Sequence, residues 1–227
     1  MIIVDNFYDN PDEIREIAIK KFLETDKING ENFVKKNGYG HFPGHRVFPD
    51  LPNLVDCYFL IQNKFDIKID PKKWIFTQTS NFQDHINMME FDFENMSMRI
   101  RETDLLFNSS YQITNGSFQY CDENSTKWVH IDNGNAFGSV VYLNPNPIDG
   151  SGTAIFQHKE TGLKTSKEVF SPEETTNFDK WEVVDYVENK YNRCIVFDAT
   201  RFHSATKYFG TTPENSRLTQ VFFFDIL

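Results

Sequence analysis

The sequence predicts a mainly β fold, an antiparallel sandwich or barrel with helices packed outside it, on three observations. Seven short runs rich in β-branched and aromatic residues, separated by turn residues, follow one another from about residue 73 to the C-terminus, with no long helix between them. Aromatic residues make up 15% of the chain, 23 of them Phe, which suits rings stacked on sheets better than Leu-rich helical seams. At 227 residues the chain fits one domain, because barrels and sandwiches of this size commonly fold as a unit.

The elements are expected in the following order. "VDNFYDNPDEIREIAIKKFLET" predicts a short strand and then a helix, with Asn10 as cap, Pro11 at its first position and acidic residues in its first turn. Ile14, Ile17, Ala18 and Phe22 recur at helical spacing, so one face packs. Residues 29–52, including "HFPGHRVFPDLP", carry the Gly, Pro, Asn and His of irregular loops, and a second helix is expected over Asn53–Lys64. This makes 1–66 a helical and loop support for a β core over 67–227, all within a single domain. The predicted strands are "KWIFTQTSNFQ", "GSFQYC", "KWVHID", "GSVVYLN", "GTAIFQH", "NRCIVFDA" and "RLTQVFFFDI". "DHINMMEFDFENMSMRIRETD", near residues 83–106, interrupts them as an insertion whose structure the sequence leaves undecided.

Composition removes several function classes. A net charge of −10 argues against non-specific binding to nucleic acid or to an anionic membrane. No stretch approaches the roughly 20 apolar residues that cross a bilayer, and "MIIVDNFYDNPDEI" meets acid too early for a secretory leader. The three cysteines form no CxxC pair, as expected of buried thiols in a cytoplasmic protein. Oligomeric state leaves no mark in the sequence.

A His-x-acid pair is weak by itself: with 6 His and 33 acidic residues in 227 positions, chance supplies about one. Two occur, His130-Ile131-Asp132 and His158-Lys159-Glu160. In "KWVHID" strand alternation puts Trp128, His130 and Asp132 on one face. "QHKETGLKTSKE" turns polar after His158, which points Glu160 to solvent and makes that pair the chance match. His203 follows "NRCIVFDATRF", 73 residues after His130, as a closed sheet requires if a distant strand end is to meet the first pair. Alone it would be equally well explained as a hydrogen-bonded loop histidine. Together the three give two imidazoles and one carboxylate on one side of a metal, the arrangement of non-haem Fe(II) oxygenases, where zinc more often takes a tetrahedral set. Arg217 lies on the strand face shared with Thr219, Val221 and Phe223. A buried arginine calls for an anion, such as a dicarboxylate, unless the strand is an edge that lets it reach solvent.

The ordered motifs from Gly116 to Leu227 resemble the 2-oxoglutarate- and Fe(II)-dependent dioxygenases of the prolyl-hydroxylase-like branch. His130 and Asp132 match the His-x-Asp pair, "VVYLNPNP" the Tyr-Leu-Asn strand, and "GSGTAIF" the Gly-Gly-Thr-x-x-Phe segment. "NRCIVFDATRFH" matches the strand leading to the distal histidine, and "SRLTQVFFF" the strand bearing the basic anchor. The resemblance implies a double-stranded β-helix, a jelly-roll or cupin-like barrel. It also implies Fe(II) on His130, Asp132 and His203, with Arg217, Tyr142 and Thr219 as the 2-oxoglutarate site. The implied reaction is O2-dependent hydroxylation of a small-molecule or peptide substrate, coupled to conversion of 2-oxoglutarate to succinate. Two features depart from the pattern. The 14-residue step from His203 to Arg217 implies an added loop, and the N-terminal third matches only in its opening strand and helix. The rival reading is a cupin-like ligand- or metal-binding module without redox turnover.

Overall fold

The structure, a computed structural model, describes residues 1–29, 44–47, 51–71, 74, 89–92, 97–100, 115–132, 134–166 and 170–227. Its centre is a pair of antiparallel sheets. The larger contains β1 (Ile2–Val4), β2 (His45–Val47), β5 (Phe118–Cys121), β6 (Phe137–Tyr142), β9 (Cys194–Asp198) and β11 (Arg217–Phe224), in the order β1-β9-β6-β11-β5-β2. The smaller is β10-β7-β8, formed by β7 (Thr153–His158), β8 (Trp181–Val187) and β10 (His203–Ala205). An isolated antiparallel bridge between His130 and His203 adds one more rung to the smaller sheet. From Phe118 onwards the chain passes back and forth between the two sheets, the winding of a double-stranded β-helix, or jelly-roll. A two-stranded hairpin, β3 (Met89–Asp92) with β4 (Ser97–Ile100), stands apart within the expected insertion.

Alternation along the strands sorts the side chains. On β11, Leu218, Phe222 and Phe224 join the core under the helices, while Arg217, Thr219, Val221 and Phe223 face the space between the sheets. Helices α1 (Pro11–Asn29) and α2 (Leu51–Phe65) cover the outer face of the large sheet, burying Ala18, Phe22, Leu54, Tyr58 and Ile61 against Val141, Val196 and Leu218. Trp74 stacks on Phe222 within this core, with ring centroids 5.6 Å apart. The outer face of the small sheet is covered separately. Val129, Phe156, Trp181 and Phe202 pack there with Phe170 and Phe178, next to the short helix α3 (Pro172–Thr176).

The fold class is the one expected, and several elements differ. "KWVHID" is not a ladder strand: only His130 bridges, although its alternation survives, with Val129 and Ile131 in the outer cluster. The loop expected over residues 29–52 contains β2, a three-residue edge strand. β8 and β10 were not expected. The sequence "WEVVDYV" buries only its two ends, so it lacks the alternation that marks a half-buried strand. Of "KWIFTQTSNFQ", all but Lys73 and Trp74 falls on residues 75–83, and only Trp74 lies within the described residues. The three cysteines are buried free thiols, and burial pushes Cys57 and Cys194 up to about 12 and Cys121 to about 11. Among the described residues no helix is long and apolar enough to cross a membrane.

The N-terminal segment is pinned to the turn before β9. Asn192 accepts from the Tyr8 N–H and donates to the Tyr8 carbonyl, both at 2.8 Å, while Asp5 meets Arg193 Nε at 2.6 Å and Lys190 Nζ at 2.7 Å. These two cations hold the Asp5 carboxyl down at about 2. A carboxylate with a depressed folded-state pKa stabilises above its unfolded value and loses that stabilisation as pH falls. Asp5→Asn should therefore cost up to about 1 kcal/mol at neutral pH, the scale for an exposed pair. In denaturant titrations, the gap from wild type should close as the pH approaches about 2.

Candidate metal centre and its cavity

His130 and His203 meet through the backbone. The His130 N–H donates to the His203 carbonyl at 3.1 Å and the His203 N–H donates back at 2.8 Å. Asp132 is held by its own N–H on the Ala199 carbonyl at 2.9 Å, in the tight turn between β9 and β10. Asp198 caps that turn, accepting from the Thr200 N–H at 3.0 Å and the Thr200 hydroxyl at 2.6 Å. One side-chain atom from each of His130, Asp132 and His203 then falls within 4.8 Å of the others. His203 Nε2 lies 3.1 Å from Asp132 Oδ2, and His130 Nε2 lies 3.9 Å from Oδ1.

Both imidazoles are oriented as ligands. His130 Nδ1 is 3.2 Å from the Trp128 carbonyl and His203 Nδ1 is 2.8 Å from the Arg201 carbonyl. A carbonyl only accepts, so each Nδ1 carries a proton and each Nε2 is the ring atom left facing Asp132, where a metal would displace any proton it holds. Trp128 stacks on His130 at 4.6 Å, and Phe197 packs on His203 at 4.7 Å. Burial and the neighbouring His203 push His130 down to about 4, against the pull of Asp132. Burial alone would raise Asp132, yet His203, His130 and Arg46 hold it below its usual value. Burial alone would lower His203, but the Asp132 carboxylate raises it instead. Two neutral-capable imidazole nitrogens and an ionised carboxylate, with their outer hydrogen bonds in place, suit a divalent cation.

The cluster opens onto a cavity of 620 Å³ between the two sheets, within the roughly 300–1,000 Å³ usual for small-molecule sites. Arg217 reaches it from β11. Its Nε donates to the Ser151 carbonyl at 2.9 Å, and its Nη2 lies 3.2 Å from Thr153 Oγ1 and 3.4 Å from the Gly152 carbonyl. Gly152 is required at that corner, because a Cβ there would sit 2.0 Å from the Val187 carbonyl oxygen. Arg217 is buried, and among the described residues no carboxylate pairs with it.

Of the residues singled out in the sequence, His130, Asp132, His203, Arg217 and Thr219 all line this one cavity. Tyr142 does not. It is fully buried beside the cavity, packed 5.4 Å from the Arg217 guanidinium, and donates its hydroxyl to Thr153 Oγ1 at 2.8 Å. His158 lies elsewhere, buried between Phe170 and Trp181 with Nε2 3.1 Å from Glu174, while Glu160 is exposed. Of the other polar lining residues, Gln119, Ser139, Thr153, Ser204 and Tyr208 went unread in the sequence. Gln119 left a signal, since Phe118 and Tyr120 on either side face the helices.

No protein-family model and no curated protein matches the chain. Among solved structures, HygX from Streptomyces hygroscopicus with nickel and 2-oxoglutarate bound is similar at a TM-score of 0.45 and 11% identity, over 98% of this chain and 81% of that one. A Pseudomonas putida prolyl-4-hydroxylase is similar at 0.44 and 13%, over 98% and 91%. Superpositions this loose carry no chemistry from those proteins to this chain.

The raised His203 makes a proton the competitor of any cation here. Metal binding near the ordinary histidine pKa of about 6.5 should release a proton from His203 and little from His130, which is already neutral there. Affinity should therefore fall as pH is lowered. Calorimetry in buffers of different ionisation enthalpy reads the proton count, and His203→Ala should abolish the release.

Proposed function

We propose that the chain is a non-haem Fe(II)- and 2-oxoglutarate-dependent dioxygenase, a single oxygenase domain that hydroxylates a small-molecule or peptide substrate. One observation carries this reading: a two-histidine, one-carboxylate cluster and a buried arginine without a carboxylate partner among the described residues face the same cavity. A metal-binding module would need the cluster and not the arginine.

In this reading His130 Nε2, Asp132 and His203 Nε2 hold the ion on one wall. Fe(II), 2-oxoglutarate and O2 together supply an oxidant that converts a substrate C–H bond to C–OH, with succinate and CO2 as the other products. Arg217 takes the far carboxylate of the co-substrate, and its planar fork suits two oxygens at once. The Ser151 and Gly152 carbonyls and Thr153 Oγ1 hold that fork before any ligand arrives, which lowers the ordering cost of binding. Tyr142 acts one step back, supporting Arg217 through its ring and through Thr153. Thr219 offers a hydroxyl on the same strand face as Arg217. Trp128, Phe197, Val221 and Phe223 supply apolar wall that keeps water from the reacting groups.

Arg217→Ala should leave Fe(II) stoichiometry intact yet weaken 2-oxoglutarate by about 2–5 kcal/mol, the scale for removing one partner of a desolvated charge pair. Arg217→Lys should fall between, keeping charge and losing the fork. Anaerobic titration of the Fe(II) protein with 2-oxoglutarate reads both, and wild-type affinity in Arg217→Ala would refute the assignment. His158→Ala should lose about 1–3 kcal/mol of stability with unchanged Fe(II) binding, because its ring is core packing. Lost metal there, with metal retained in His130→Ala, would reverse the choice of histidine.

A further inference from the structure

The 14-residue step from His203 to Arg217 departs from the resemblance drawn above, and the proposed function gives it no task. The segment is fastened at both ends. The Thr206 N–H donates to the Gly152 carbonyl at 3.2 Å and the Thr206 hydroxyl to the Gly150 carbonyl at 2.6 Å, so the segment starts on the same corner that holds Arg217. Lys127 Nζ donates to the Thr206 carbonyl at 3.0 Å. Further along, the Gly210 carbonyl accepts from the Glu123 N–H at 3.0 Å, just beyond β5. Asn215 Oδ1 then accepts from the Thr211 and Thr212 N–H groups at 2.8 and 2.9 Å, closing the turn. Gly210 is required there: its φ is +77°, and a Cβ would lie 2.2 Å from the Asn215 carbonyl oxygen.

Between these fastenings Tyr208 enters the wall of the cavity. Its hydroxyl is hydrogen-bonded to the Cys121 thiol, and Cys121 lies directly opposite Arg217 in the β5–β11 ladder. Opposed residues of an antiparallel pair project to one face. The hydroxyl and the guanidinium therefore share a corner of the cavity, near enough for the arginine charge to act on both Tyr208 and Cys121. A thiol sulfur is a weak acceptor, whereas a carboxylate oxygen is a strong one. Burial pushes the Tyr208 hydroxyl well above its ordinary pKa, so it keeps its proton and remains a donor. Tyr142, to which the resemblance assigns the hydroxyl beside Arg217, donates to Thr153 instead and lies outside the cavity wall.

We propose that Tyr208 is a co-substrate-binding residue, whose hydroxyl leaves the Cys121 thiol and donates to the far carboxylate of 2-oxoglutarate beside the fork of Arg217. The segment between His203 and Arg217 thus supplies the donor that Tyr142 does not. This rests on the reading of the site as an Fe(II) and 2-oxoglutarate centre.

The test uses the full chain, anaerobic and loaded with Fe(II), titrated with 2-oxoglutarate and with 2-oxopentanoate. The second ligand keeps the keto acid and carries a methyl group in place of the far carboxylate. Tyr208→Phe keeps the ring and removes only the hydroxyl. It should bind 2-oxoglutarate about tenfold more weakly or worse, the scale of a lost hydrogen bond to a charged group, while Fe(II) stoichiometry and the affinity for 2-oxopentanoate stay at wild-type values. Unchanged 2-oxoglutarate affinity overturns the proposal. Equal weakening of both keto acids overturns it too, because Tyr208 would then act through packing and not through the far carboxylate. A wild type that holds Fe(II) but takes up no 2-oxoglutarate is a different failure, because it removes the underlying reading of the site and this proposal with it.

Discussion

Two backbone hydrogen bonds between His130 and His203 hold together residues 73 apart in the chain, and the site depends on them. Each histidine is fixed in two ways, by its place in the bridge and by an Nδ1 contact to a carbonyl two residues before it, at Trp128 and Arg201. Neither ring can turn without breaking one of these. The bridge is the rung that carries the small sheet beyond β10, so the two candidate ligand histidines are set by sheet geometry and not by a free loop. Rigid support of this kind separates a site that binds a metal from three polar residues that happen to be near one another.

The second constraint is electrostatic. Packing two arginines into the wall of one cavity is costly unless anions meet them. Among the described residues, carbonyl and hydroxyl oxygens of the Ser151–Thr153 corner satisfy donors of Arg217 and leave its charge. The fold secures that corner with Gly152, the one residue type that lets the chain pass so near the Val187 carbonyl. The geometry is thus prepared ahead of a ligand, and the ligand it calls for is acidic. His203, His130 and, after them, Arg46 hold Asp132 ionised against its burial.

Much of this was legible in the sequence because strand alternation is local. Phe, Val and Leu alternating with Arg217 and Thr219 in "RLTQVFFF" already separate a helix-facing side from a cavity-facing side, and the structure places them so. The spacing of His130 and Asp132 likewise survives, even though only one residue of "KWVHID" pairs in a ladder. What escaped was non-local. β2 has three residues, and what makes it a strand is pairing with β5 more than 70 positions later, so nothing in its own stretch announces a strand. β8 escaped because its exposed middle, Glu182 to Tyr186, breaks the alternation expected of a half-buried strand. Tyr142 lies outside the cavity lining, with its ring 5.4 Å from the Arg217 guanidinium and its hydroxyl donating to Thr153, an arrangement set by packing that the motif alone does not give.

In the proposed function one cavity holds a metal on three side chains and a dicarboxylate on Arg217 at the same time. A crystal structure of the protein grown without oxygen in the presence of Fe(II) and 2-oxoglutarate, with anomalous diffraction recorded at the iron edge, tests this directly. One anomalous peak per chain is expected, bonded to His130 Nε2, Asp132 and His203 Nε2, with the far carboxylate of 2-oxoglutarate on the guanidinium of Arg217. Iron bound at any other residues, or a 2-oxoglutarate whose far carboxylate lies away from Arg217, would contradict it.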